Sequence, residues 1–265
     1  MLFQRASGLL AGRRVCHSAG MSIFDDLGAE QDRLEKILNG LDEGQWESAS
    51  GARGWTIADV VLHLAQSEEA AAATAMHGTL RGGLGVVAGE TMDERADAAV
   101  RAERAAPAEV FARWQRARQA ALAAMRAADP DVPVQWMVGT IKPATLATTR
   151  LAEHWAHGLD IAEPLGAEFP DTARLEHIAW LAHRTLPYAL SLAGEQPAPV
   201  RLELTAPDGE RVWRFGPADA ESAITGSAGA FCRVAAPRRD PARSGLEASG
   251  PAGATALRLV RTYAA

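Results

Sequence analysis

"RLAEHWAHGLDIAEPLG", residues 150–166, sets one glutamate and two histidines within five consecutive positions. On a helix that advances about 100° per residue, Glu153 and His157 stand one turn apart on one face. Arg150 and Asp160 extend that face by a turn in each direction, while His154 and Trp155 point elsewhere. Pro143 suits a first helical turn, no Gly or Pro interrupts residues 144–156, and Pro164 is a stop signal. A helix over about residues 143–162 is therefore expected. Its opposite flank (Ala147, Leu151, His154, Trp155) is not cleanly apolar, and Leu146 and Ile161 lie beside the polar stripe. The stripe is thus expected to turn partly inward instead of only toward solvent. An E-x-x-x-H pair can offer two ligands to one metal. A catalytic zinc site of two histidines and a carboxylate needs a third ligand from another helix and keeps one position open. Spacing leaves that third ligand open among His63, His77, His177 and His183.

The chain around this segment has 265 residues, 48% hydrophobic and 23% charged, the composition of an ordinary globular protein. A net charge of −6 argues against general binding to a phosphate backbone. No apolar run approaches the roughly 18 residues that span a bilayer. Cys16 and Cys232 make neither a disulfide framework nor a zinc knuckle, which fits a reducing cytoplasm. Residues 1–20 carry Arg5, Arg13 and Arg14 and no acid, and a natural start follows at Met21. They read as a disordered extension, either a transit-like segment or a start placed too early.

Residues 21–195 read as a helical bundle. Ser22 caps a helix to about Leu38, and Thr56 with Asp59 opens another, "TIADVVLHLAQSEEAAAATAM". A loop is expected between them, from Trp46 to Trp55. The glycine-rich "RGGLGVVAGE" fits neither phosphate-binding motif and takes no phosphate role. Helices are expected near 91–105, 107–128 and 172–194, the last kinked at Pro187. Residues 196–265 read as a small α+β domain. "VRLELTA" and "ERVWRFG" alternate about a "PDG" turn and predict a hairpin. Two helices, "SAGAFCRVAAPR" and "AGATALRLVRTY", are expected after it, with a strand near "SGLEASG" between them.

"GWTIADVVLHLAQSE" together with "RLAEHWAHGLDIAEPLG" resembles the DinB/YfiT-like metal-binding superfamily, and within it the mycothiol-dependent maleylpyruvate isomerase group, closer to that group's unassigned relatives. The later stretch "VRLELTAPDGERVWRFGPADAESAITGSAGAFCRVAAPRRD" resembles the group's small sterol-carrier-like domain. The resemblance implies a mainly α fold: a DinB-like four-helix-type bundle followed by that α+β domain. It implies one divalent metal, zinc by its ligand set, held by His63, Glu153 and His157. It also implies mycothiol, a low-molecular-weight thiol of actinobacteria, as cosubstrate for a small electrophile, in an isomerase or S-transferase reaction.

Other residues take open roles at this stage. Asp160 either orients a ligand or caps toward solvent. Arg150 is either a salt-bridge partner of Glu153, the favoured reading, or an anchor for a substrate carboxylate. Trp55 and Trp136 either line the pocket mouth or pack in the core. His177 and Arg184, seven apart on one face, are candidates to reach the pocket, and Arg238 to contact an anionic group from the small domain. A metal-dependent hydrolase and a non-catalytic metal or ligand binder remain as alternatives. No nucleic-acid or membrane partner is expected, and the chain is read as a monomer or homodimer.

Overall fold

The computed structural model describes residues 22–78, 91–137 and 139–262. The expectations for residues 1–20 and for the glycine-rich segment 81–90 lie outside them. In chain order come α1 (Ile23–Leu38), α2 (Glu43–Glu47), α3 (Ile57–His77), α4 (Met92–Ala102) and α5 (Pro107–Ala127). The hairpin β1 (Val134–Trp136) and β2 (Gly139–Ile141) leads into α6 (Pro143–Leu165) and α7 (Leu175–Leu192). Then follow β3 (Val200–Thr205), β4 (Val212–Phe215), β5 (Ser222–Ser227), α8 (Ala228–Ala235), β6 (Glu247–Ser249) and α9 (Gly253–Leu259). The protein is mainly helical with a small α+β region after the helices, as the sequence predicts.

Local chemistry sets the helix starts. Ser22 and Thr56 each accept from the backbone N–H three residues on, and Asp25 and Asp59 bond back, giving complete capping boxes. Each such cap contributes about 1 kcal/mol. In the bundle α3 packs on α5 and α6, and α1 on α6. Leu34, Leu38, Ile57, Val60, Val61, Leu64, Trp114 and Ile161 form one apolar cluster. A second runs from Leu27, Met125, Leu151 and Trp155 through Ile178 on α7 to Leu202, Ile224 and Phe231. The bundle and the sheet therefore share an apolar core, in which each fully buried leucine is worth about 1.5–3 kcal/mol.

Three local expectations change. A short helix, α2, stands inside the expected loop, opened by an Asp42–Gln45 capping box. The β1–β2 hairpin and β5 were not foreseen. "SAITGS" has too few alternating residues to announce a strand, yet it pairs in parallel with β3 at the middle of a sheet ordered β4-β3-β5-β6. Finally, α6 does not stop before Pro164 but carries it inside its last turn. A proline there cannot donate to the carbonyl four residues back, which is that of Asp160. That oxygen instead accepts from Gly51 N–H at 2.7 Å. Pro187 likewise sits inside α7, which runs on through it. Among the described residues no helix is long and apolar enough to cross a membrane.

Candidate metal centre

The polar stripe read from residues 150–166 turns toward α3. His63, from the middle of α3, meets Glu153 and His157 across the α3–α6 contact. His63 Nε2 lies 3.5 Å and His157 Nε2 3.6 Å from Glu153 Oε2. All three candidate ligand atoms fall within 4.8 Å of one another. These separations are long for hydrogen bonds, which cluster at about 2.7–3.2 Å. They match ligands sharing an ion: N and O atoms about 2.1 Å from a tetrahedral centre stand about 3.4 Å apart. The donor set, two imidazoles and one carboxylate, is that of a catalytic zinc centre. The residues present thus fit a divalent ion.

The remaining nitrogen of His157 is also arranged for this. Its Nδ1 faces Asp160 Oδ2 at 2.9 Å. A carboxylate there fixes the ring, leaves Nε2 as the ligand atom and raises its basicity. Burial works against charge on His157, but Asp160 and Glu153 outweigh it and raise its pKa. Burial lowers that of His63. Burial would raise that of Glu153, yet His157, His63 and Arg150 hold it well below the usual carboxylate range. An ionised carboxylate between two imidazoles is what a cation requires. The Glu153 side chain is 26% exposed against 11% and 12% for the two histidines, so solvent reaches the centre at Glu153.

Trp55 walls the opposite side. Its ring stacks on His157 with centroids 6.3 Å apart and tilts against His63 at 5.2 Å, while its indole N–H donates to Asp97. Trp55 also packs against the apolar cluster that holds Leu34, Val60 and Trp114. Trp136 is a core residue of β1, with the Arg150 guanidinium 5.8 Å from its ring centre.

Arg150 departs from its favoured partner. Its Nε donates to Glu68 Oε1 at 2.8 Å and Nη2 to Ser67 Oγ at 2.7 Å, not to Glu153. Glu68 is fully buried on α3, and a buried carboxylate claims the nearest guanidinium. This also removes Arg150 as a substrate anchor, since both groups lie inside the bundle. His177 and Arg184 do not join the centre. His177 is buried against Asp26 of α1, and the exposed Arg184 lies over Trp180. Equal angular position does not help when α1 covers only one of the two. Arg238 does reach the centre, but its nitrogens are engaged there: Nε and Nη2 on the Asp160 carboxylate at 2.7 and 2.5 Å, Nη1 on the Ala236 carbonyl. Its part is toward Asp160 and not toward an anionic ligand.

The sequence reading missed Gly51. A Cβ there would stand 3.0 Å from the Asp160 Cα, a tight approach, so glycine suits the close packing of the loop before Trp55 on α6. Its one outward sign was a glycine four residues before that tryptophan.

A helical bundle with a Glu–His pair on one helix, completed by a histidine of another, defines a metal-binding class. The chain belongs to the mycothiol maleylpyruvate isomerase N-terminal domain family, whose model matches residues 27–162. Two curated relatives, uncharacterized proteins from two strains of Mycobacterium tuberculosis, are each 33% identical over 250 residues, covering 90% of this chain and 94% of the relative. The solved mycothiol-dependent maleylpyruvate isomerase and a variant of it share the fold, with TM-score 0.58 at 17% identity, covering 86% of this chain and 95% of theirs.

Proposed function

We propose that the protein is a metal-dependent, mycothiol-using isomerase or S-transferase acting on a small electrophile. One observation carries the reading: three ligand atoms of the catalytic zinc type converge at a partly open position, with one imidazole already oriented by a carboxylate. The family and the shared fold support the choice of thiol. When bound, a divalent ion such as zinc supplies Lewis acidity and favours the thiolate form of a thiol that reaches it.

The chain's own residues do the rest. His63 Nε2, His157 Nε2 and Glu153 Oε2 would hold the ion, and Asp160 accepts a hydrogen bond from His157 Nδ1–H, which leaves Nε2 as the ligand atom. Trp55 excludes water from the imidazole side. Among the described residues no cysteine thiol stands at the centre. Cys232 is fully buried on α8, its thiol turned to the Leu175 carbonyl, and burial pushes its pKa far up. An external thiol is the consistent nucleophile. Its addition to an activated alkene, followed by bond rotation and elimination, isomerises the alkene and returns the thiol; addition alone transfers it. Reduced thiol is a cytoplasmic reagent, and on this reading we propose the cytoplasm as the protein's compartment.

The test combines elemental analysis with turnover of a panel of electrophiles, maleylpyruvate among them, with and without mycothiol. Expected are about one divalent ion per chain and turnover only when thiol is added. Thiol-independent turnover would replace this reading with a metal-dependent hydrolase.

A further inference from the structure

Asp160 gathers more of the molecule than any other residue at the centre. Its Oδ2 receives both His157 Nδ1 at 2.9 Å and Arg238 Nη2 at 2.5 Å, and its Oδ1 receives Arg238 Nε at 2.7 Å. Its carbonyl, which Pro164 leaves without a helical donor, receives Gly51 N–H. The Asp160 side chain is 3% exposed. Arg238 comes from the α+β region, just beyond α8, and is itself braced: its N–H reaches the Arg233 carbonyl at 2.7 Å and Nη1 the Ala236 carbonyl at 2.8 Å. The fork is two-pronged, the geometry in which a guanidinium fixes a carboxylate plane.

We propose that Asp160 is a positioning residue through which the α+β region sets the metal affinity of the bundle: Arg238 holds the Asp160 carboxylate in the plane that fixes the His157 ring. The inference rests on the metal reading above and adds to it a coupling between the two parts of the chain. Without Arg238 the nearly buried carboxylate loses its main partner, and nothing else among its described contacts keeps it aligned with His157 Nδ1. Misaligning the outer partner of a ligating histidine costs about 10- to 100-fold in metal affinity. The coupling runs both ways, because a ligand that needs the docked arrangement must also stabilise it.

The experiment is Zn2+ affinity by competition with a chromophoric chelator, on the full chain, with circular dichroism as the check on folding. Asp160→Asn and Arg238→Gln should each weaken Zn2+ binding by about ten-fold or more. The double variant should be no more than about three-fold weaker than Asp160→Asn alone, since both changes break one linkage. Arg238→Lys, which keeps the charge but loses the fork, should fall between wild type and Arg238→Gln. Arg243→Gln, an exposed change in the same region, should match wild type. In a second readout, Zn2+ should slow hydrogen exchange of the Arg238 amide in wild type and not in Asp160→Asn. Wild-type affinity in Arg238→Gln, or an Arg238 amide indifferent to Zn2+, would overturn the coupling while leaving the metal reading intact. A wild-type chain that takes up no Zn2+ would overturn both.

Discussion

His154 and His157 lie three residues apart on α6 and occupy opposite kinds of surroundings. His154 is fully buried between α5 and α6. Trp114 Nε1–H donates to its Nε2 at 3.2 Å, so its Nδ1–H faces the Arg150 carbonyl at 2.9 Å. Both nitrogens are spent on the protein, and the ring is neutral. His157 spends one nitrogen on Asp160 and leaves the other aimed at Glu153 and His63. The Arg150–Glu68 pair beside His154 is buried, with Glu68 Oε1 bonded to Arg150 and Glu68 Oε2 left without a hydrogen-bond partner, whereas the Glu153 carboxylate stays partly exposed. One helix thus carries a histidine whose two nitrogens are both bonded within the protein and another with a nitrogen left for a cation. Satisfaction of the second nitrogen, more than residue type or burial, separates the structural histidine from the candidate ligand.

The largest effect on stability is expected in the buried Arg150–Glu68 pair. Arg150→Ala leaves Glu68 buried and uncompensated and should cost about 3–5 kcal/mol, read by denaturant unfolding. Replacing Arg150 and Glu68 together by apolar residues of similar volume should recover most of that loss. A single variant no worse than the double would show that the pair is not what holds this part of the bundle.

The two histidines should also titrate in opposite directions in the metal-free chain. Burial pushes His154 down to about 3. Between that value and the unfolded value of about 6.5 the unfolded chain binds the extra proton, so stability rises with pH there. The contribution of His154 is full above about pH 6.5 and is lost as pH falls toward 3. His157 is raised, so its protonated form is favoured by folding, and its contribution is full below about 6.5 and lost as pH climbs through its folded value. Ring-proton NMR of the metal-free chain checks this: His157 should titrate above the ordinary range, and His154 should not move until acid unfolding. A His154 resonance titrating near 6.5 would dissolve the distinction.

A smaller effect is expected at Cys232. A hydroxyl in that apolar site should cost about 1–3 kcal/mol. Thiol-dependent turnover by Cys232→Ser should equal wild type, because the sulfur faces Leu175 and not the centre. Loss of turnover with the fold and metal intact would return the nucleophile to the chain.

What the sequence disclosed follows helical geometry. Glu153 and His157 were legible because one turn of one helix puts them together, and Ser22 and Thr56 because caps act within three residues. Alternation made the β3–β4 hairpin legible in the same way. His63 could not be chosen over His77, His177 or His183 from spacing, because the choice is made by which face of α3 meets α6; only the family resemblance named it. Glu68 as the partner of Arg150, Arg238 as the partner of Asp160, and Gly51 against the α6 backbone all join residues far apart in the chain, and no local period records them. Pro164 was read as a stop, whereas its missing N–H opens the carbonyl that receives Gly51.

The central claim is that the cluster around His157, and not the buried His154, holds the ion. Metal stoichiometry of purified His157→Gln and His154→Gln chains, measured beside wild type by elemental analysis, tests it most directly. The account predicts about one divalent ion per chain in wild type, little change in His154→Gln, and near-complete loss in His157→Gln with helical content retained. Equal loss in the two variants, or retention of the ion in His157→Gln, would contradict it.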